Sequence, residues 1–167
     1  MKTLFENKWI EVVELNGWFT ATKPVQSKDN KTVAVLPYRI KDNKKEFISR
    51  FELNPAHLDG EMNHQVSIIT GACETGDPLF HARMELREEA GYEIPEDRFM
   101  FHGIVRTSKT SMSKMHLYSV KINESDEQLA YSGDGSGNEA KEYAEWVSYL
   151  DMLTAKDPYI HTIMLRM

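Results

Sequence analysis

Residues 71–92 read GACETGDPLFHARMELREEAGY and predict a short helix between two glycine-containing turns. Asp77 followed by Pro78 favours a helix start, because Asp caps free backbone N–H groups and Pro at the first helical position loses no hydrogen bond. Gly91 is typical of a helix end. At about 100° per residue, the apolar positions form a narrow stripe of Leu79, Ala82, Leu86 and Ala90. We therefore expect this stripe to pack against a core.

Three glutamates, Glu85, Glu88 and Glu89, fall together on the adjacent face of the same helix. Like charges three or four positions apart destabilise a helix. No Lys or Arg stands three or four positions from any of them, so nothing basic is expected to offset the crowding. A bound divalent cation would do so, and hard oxygen ligands suit Mg²⁺ or Mn²⁺. The alternative is a solvated acidic helix face.

The stretch resembles the Nudix box, G-x5-E-x7-R-E-U-x-E-E-x-G-U, in which U is an aliphatic or bulky apolar residue. The matching positions of this chain are Gly71, Glu85, Leu86, Glu88, Glu89, Gly91 and Tyr92. By resemblance, the three helix glutamates would bind Mg²⁺, with Mn²⁺ as an alternative. The pattern is far more specific than a lone glycine motif.

The box departs from the pattern at two positions and in its spacing. Asp77 stands where the pattern has Glu, Met84 stands where it has Arg, and six residues rather than seven separate the two. In the family, that Glu and Arg commonly support each other between loop and helix. Their joint replacement indicates that one structural tie has been lost as a unit, with Arg83 available as a substitute one position earlier.

The remaining chain predicts an α+β fold. Residues 8–15 and 18–22 are rich in aromatic and β-branched residues, and Asn16-Gly17 between them is a strong hairpin signal. Further strands are predicted at residues 32–40, 46–51, 65–70, 99–105, 115–122 and 142–149, with helical turns in 150–167. Such an order predicts a mixed β-sheet sandwiched between helices (α/β/α), with an N-terminal β-hairpin.

This order also fits the Nudix fold. The segments VAVLPYRIKDNKKEFISRF before the box and HLYSV after it lie where ADP-ribose pyrophosphatase-like members have comparable segments. We expect a single domain over residues 1–167, made of an N-terminal hairpin region (1–31) and a Nudix core (32–167). In similar enzymes the N-terminal strands often exchange contacts between subunits, so the resemblance implies a homodimer.

Composition and net charge argue against some classes of binding partner. The net charge of −6 argues against polymeric nucleic acid, and no apolar run approaches the roughly 20 residues of a membrane span. We therefore expect a cytoplasmic protein, and a small-molecule nucleotide substrate is what the resemblance implies. Cys73 is the single cysteine, which excludes an internal disulfide. Its place in the box loop suggests a nucleophile, but a nucleophile needs a nearby base and the sequence indicates none, so a small buried loop residue is favoured.

The resemblance implies a metal-dependent pyrophosphohydrolase that cleaves the diphosphate linkage of a nucleoside diphosphate joined to another moiety. ADP-ribose-like compounds or nucleotide sugars are favoured. Glu88 and Glu89 are the catalytic candidates on the helix. Glu139 and Glu142, which follow a glycine-rich stretch, are candidates for a general base or an additional ligand. The alternative for each of these two is a surface carboxylate.

Two residues before the helix are candidates for substrate binding. Arg50 lies in the segment Ser49-Arg50-Phe51-Glu52, where ADP-ribose-type members often carry two arginines, and the second is missing here. Arg50 could pair with phosphate or face solvent. Gly71 opens the loop that would place backbone groups beside the helix start.

The second class of function is a non-catalytic Nudix-fold domain with a nucleotide-binding or regulatory role. Asp77, Met84 and the shortened spacing motivate it, whereas the intact glutamates favour the enzyme. On the sequence alone, Glu89→Gln is expected to abolish metal-dependent turnover and to leave stability similar or higher, because it removes one repulsive charge.

Overall fold

The structure is a computed structural model, and it describes residues 1–8, 10–22, 27–52, 65–130 and 143–167. The strands are β1 (Lys2–Glu6), β2 (Glu11–Leu15), β3 (Trp18–Thr22), β4 (Lys31–Lys41), β5 (Lys44–Glu52), β6 (Gln65–Ser67), β7 (Ile69–Ala72), β8 (Phe99–Arg106), β9 (Lys114–Lys121) and β10 (Tyr143–Ser148). The helices are α1 (Pro78–Ala90), α2 (Tyr149–Thr154) and α3 (Pro158–Met164).

The predicted N-terminal hairpin is present as β2 and β3, paired antiparallel from Glu11↔Thr22 to Leu15↔Trp18. Asn16 and Gly17 form its turn with φ of 51° and 81°, the left-handed conformation that a tight two-residue hairpin needs. Strand β1 pairs with β2 and completes a three-stranded sheet. Strand β1 was not predicted, because its five residues are all exposed and carry no burial pattern.

A seven-stranded mixed sheet forms the centre of the fold, with the order β10-β5-β4-β9-β8 and two short strands beside it. Strands β4 and β9 run parallel, whereas the other pairs are antiparallel. The predicted central strands are confirmed, with bounds that shift by one or two residues.

Strands β4 and β5 separate along their length, and β6 and β7 fill the gap. Near their connection β4 pairs with β5 (Tyr38↔Phe47), but farther away β4 pairs with β7 and β5 pairs with β6. The single predicted strand over residues 65–70 is therefore two strands, broken at Ile68. The backbone N–H of Ile68 donates instead to Asp157 Oδ2 at 3.0 Å, at the start of α3.

The helices cover both faces of the sheet and confirm the α/β/α arrangement. One buried cluster lies under α1 and includes Leu86 together with Val33 and Val35 of β4. The second lies on the opposite face, where Ile160 and Ile163 of α3 pack on Leu36 and Leu117. Within the described ranges, every helix is too short or too polar to span a bilayer.

Candidate functional site

Helix α1 begins and ends where the sequence predicts. Asp77 Oδ1 accepts hydrogen bonds from the backbone N–H groups of Leu79 at 3.1 Å and Phe80 at 3.4 Å, and Pro78 is the first helical residue. Gly91 ends the helix with a φ of 75°. The cap fixes the position of the helix start relative to the preceding loop.

The apolar stripe turns the glutamates away from the core. Ala82, Leu86 and Ala90 are fully buried, and Leu79 packs at the edge of the same cluster. The adjacent face consequently borders a surface pocket of about 370 Å³. Its lining residues are Ala72, Glu74, Thr75, Phe80, His81, Met84, Glu85, Glu88 and Glu89. The structure thus brings all three predicted helix carboxylates to one pocket.

Gly71 lies directly beneath Glu85. A Cβ built on Gly71 would overlap the carboxylate and the Cγ of Glu85. The glycine is therefore required by close approach, since the Glu85 side chain lies over the β7 backbone. This contact links the first glycine of the box-like stretch to the first of its three glutamates.

Arg50 of β5 forms an ion pair with Glu89 of α1, from Nη1 to Oε1. Both side chains are nearly buried, at 13% exposed for Arg50 and 9% for Glu89. The expectation that nothing basic offsets the acidic face is therefore wrong, because the compensating charge comes from a neighbouring strand rather than from the helix. Within the described residues, Glu89 Oε2 is buried and has no hydrogen-bond partner.

The loop before the helix is held by a histidine that the sequence analysis did not single out. His81 Nε2 accepts the backbone N–H of Thr75 at 3.1 Å and contacts the Thr75 hydroxyl at 2.9 Å. Because a backbone N–H can only donate, Nε2 carries no proton in this arrangement. Lys31 Nζ adds a hydrogen bond to the Gly76 carbonyl at 3.0 Å. The His81 bonds connect the loop to the helix, and the Lys31 bond connects it to β4, in a box that lacks the usual Glu and Arg.

Arg83 does not substitute for the missing motif arginine. Its guanidinium donates to the Ile94 carbonyl at 3.2 Å and pairs with Glu96 at 2.7 Å, which fastens α1 to the segment after the helix. Met84, at the motif position itself, lines the pocket.

The carboxylates of α1 are chemically suited to bind a divalent cation, but their side chains are not arranged to hold one. Among the described residues, no three His, Cys, Asp or Glu side chains are grouped closely enough to hold a metal. Glu85, Glu88 and Glu89 nevertheless offer hard oxygen donors around one pocket, and the partnerless Glu89 Oε2 has a lone pair that a cation would satisfy. Glu139 and Glu142 lie outside the described residues.

Cys73 is a buried structural residue, as predicted. Its side chain is 0% exposed, and burial raises the pKa of the thiol to about 11. A thiol with this pKa stays protonated near neutral pH and is a poor nucleophile. The adjacent Tyr118 likewise has its pKa raised to about 12, chiefly by burial.

No protein-family model and no curated protein matches the chain. Among solved structures, the chain is similar to a crystal structure of an ADP compounds hydrolase, with 15% identity over 98% of this chain and 89% of that chain and a TM-score of 0.62. It is also similar to the NUDIX domain of Shewanella oneidensis NrtR complexed with ADP ribose, with 13% identity over 81% and 86% of the two chains and a TM-score of 0.54. At these identities the likeness establishes the architecture, and the chain has the Nudix fold.

Proposed function

We propose that the chain is a metal-dependent pyrophosphohydrolase that cleaves the diphosphate linkage of a nucleoside diphosphate joined to another moiety. The observation that carries the proposal is the pocket beside α1 on a Nudix fold, which is lined by three carboxylates, one of which has a buried oxygen without a partner and pairs with Arg50. ADP-ribose-like compounds and nucleotide sugars are the favoured substrates, because one similar structure is named as an ADP compounds hydrolase and the other contains ADP ribose.

In this proposal Glu85, Glu88 and Glu89 hold Mg²⁺ or Mn²⁺. When bound, the cation supplies charge neutralisation on phosphate and an activated water. The apolar stripe of α1 fixes the helix against the sheet, and the Thr75–His81 hydrogen bonds fix the loop, so the chain presents a preorganised wall to the diphosphate.

We propose that the general base lies outside α1. Glu139 and Glu142 remain the candidates for the general base, and Glu88 and Glu89 are the catalytic carboxylates on α1. Attack of water on one phosphorus of ADP-ribose breaks the P–O–P bridge and yields AMP and ribose 5-phosphate.

A second candidate function is nucleotide binding without turnover. Two observations favour it: the Arg50–Glu89 pair already neutralises one proposed ligand, and no metal-holding group is found in the described part of the chain. The similarity to a NUDIX domain complexed with ADP ribose fits this reading equally well.

A homodimer and a cytoplasmic location are further parts of the proposal. The N-terminal sheet supports the dimer because it leaves large apolar side chains exposed, with Trp18 at 80%. The others on this sheet are Leu4, Phe5, Leu15 and Phe19. Sedimentation of wild type and Trp18→Ser tests it: we expect a dimer that the substitution weakens, and a monomeric wild type contradicts it.

The experiment that separates the two functions is a hydrolysis panel. ADP-ribose, ADP-glucose, NADH, diadenosine polyphosphates and nucleoside triphosphates are incubated with the protein in Mg²⁺, Mn²⁺ or chelator, and phosphate-containing products are measured. Metal-dependent cleavage of a diphosphate bridge supports the enzyme. Saturable ADP-ribose binding without cleavage of any compound supports the binding domain.

A further inference from the structure

The two oxygens of the Glu89 carboxylate differ in their contacts. Oε1 pairs with Arg50 Nη1, whereas Oε2 is buried without a hydrogen-bond partner in the described residues. Both side chains are nearly sealed from water, so their charges are only weakly screened. Glu89 therefore has one oxygen satisfied by Arg50 and one oxygen left to accept another positive group.

The main chain on both sides of this ion pair is held firmly. Arg50 pairs with Ser67 of β6 on one side and with Ala144 of β10 on the other. Glu89 is anchored by the fully buried Leu86 and Ala90 of the same helix. The backbone thus fixes the two partners, and a rearrangement of the pair falls to the long, rotatable Arg50 side chain.

A divalent cation bound at Glu89 would compete with Arg50. The guanidinium lowers the negative potential at the carboxylate, and two positive groups that share one carboxylate repel each other at short range. Ion binding and the Arg50–Glu89 pair consequently oppose one another. The same pair also explains how α1 tolerates three neighbouring glutamates without a bound ion, since Arg50 removes part of their repulsion.

We propose that Arg50 is an internal counter-ion that competes with the divalent cation for Glu89, and that cation binding releases its guanidinium toward the substrate diphosphate. A planar guanidinium is well suited to phosphate because it donates two parallel hydrogen bonds. This inference rests on the proposed function and adds an order of events to it, in which the cation binds before the diphosphate is engaged.

Direct measurement of Mn²⁺ binding without nucleotide tests the competition. Calorimetric titration compares wild type with Arg50→Met, which keeps much of the side-chain length and removes the charge. We expect Arg50→Met to bind Mn²⁺ about tenfold more tightly than wild type. The matched control is Arg83→Met, which removes the same charge from α1, where Arg83 pairs with Glu96 outside the pocket. This control is expected to bind Mn²⁺ as wild type does.

Thermal unfolding gives a second readout. In chelator, Arg50→Met is expected to melt at a lower temperature than wild type, because Glu89 loses its counter-ion. Saturating Mn²⁺ should raise its melting temperature by more than it raises that of wild type, since the ion binds only the folded form. Unchanged or weaker Mn²⁺ binding by Arg50→Met overturns the proposal, as does equal tightening in Arg83→Met.

Arg50→Lys keeps the test decisive if Arg50→Met does not fold. A lysine retains the charge but loses the planar fork, so we expect Mn²⁺ binding to tighten by about threefold, and no change overturns the proposal. The hydrolysis panel separates this inference from the proposed function. Cleavage by wild type with unaltered Mn²⁺ binding in the Arg50 variants defeats the inference alone, whereas tighter Mn²⁺ binding without cleavage of any compound defeats the enzyme alone.

Discussion

The Glu85 carboxylate of α1 lies against the Cα of Gly71 in β7, in the space that any side chain at position 71 would occupy. Gly71→Ala is therefore expected to push the Glu85 carboxylate out of place. We expect kcat/KM to fall about 100-fold, the scale on which small misplacements reduce catalysis. Stability should change little, because Gly71 does not have a left-handed φ that alanine would resist. Steady-state rates in saturating Mg²⁺ and thermal melts check both expectations.

The control for this prediction is a double-mutant cycle with Glu85→Gln. If Gly71→Ala acts through Glu85, then adding it to Glu85→Gln causes little further loss. Fully additive losses would show that the glycine acts by another route.

Glu89→Gln and Glu88→Gln are expected to differ in stability. Glu89→Gln removes the carboxylate that pairs with the nearly buried Arg50 and should cost about 2 kcal/mol, the scale of a hydrogen bond to a charged group. Glu88→Gln should stay within about 0.5 kcal/mol, because Glu88 pairs with no Lys or Arg in the described ranges. Urea unfolding in chelator measures both, and equal stabilities would count against the Arg50–Glu89 pair. The structure thus reverses the sign expected for Glu89→Gln from the helix alone.

His81→Phe tests the link between loop and helix. It keeps an aromatic ring and removes the acceptor of the Thr75 backbone N–H, so the free energy of unfolding should fall by about 1 kcal/mol. Thr75→Val is the matched variant, since it removes only the hydroxyl and leaves the backbone N–H bonded to His81. We expect its loss to be the smaller of the two in urea unfolding. The reverse order would mean that the hydroxyl contact, rather than the backbone bond, holds the loop.

We expect the buried Cys73 thiol to make the fold less stable at alkaline pH. Burial raises the pKa of this thiol from its usual value of 9.0 to about 11, so the unfolded chain loses the proton first. The stabilisation from the protonated thiol is complete below pH 9.0 and is lost as pH rises to about 11. It amounts to about 2–3 kcal/mol. Cys73→Ala should flatten the fall in stability over this range, and an unchanged pH profile of urea unfolding would contradict the assignment.

Local signals in the sequence were sufficient to predict α1 and the N-terminal hairpin. The Asp77 cap, the Gly91 end and the Asn16-Gly17 turn each depend on residues within a few positions, and each is present in the structure. The stripe of small and aliphatic residues also predicted correctly which side of α1 is buried. The three helix carboxylates lie on one face, as predicted, and line one pocket.

Features that depend on distant parts of the chain could not be predicted in this way. The break at Ile68 depends on Asp157 at the start of α3, and the neutralisation of Glu89 depends on Arg50 in β5. In each of these two pairs the residues are far apart in the sequence, and no local motif fixes the number of residues between them. The Thr75–His81 bond joins residues only six positions apart, but the loss of the usual Glu and Arg indicated only that one structural contact was missing, and not that His81 holds the loop.

The most direct test of the central claim is the rate of AMP release from ADP-ribose by wild type and Glu88→Gln, each in Mg²⁺ and in chelator. Glu88→Gln is the informative variant because its stability should stay close to that of wild type. We predict cleavage by wild type that requires Mg²⁺ and that falls at least about 100-fold in the variant. Cleavage that persists in chelator, or equal rates in the two proteins, would contradict a metal-dependent site built on the carboxylates of α1.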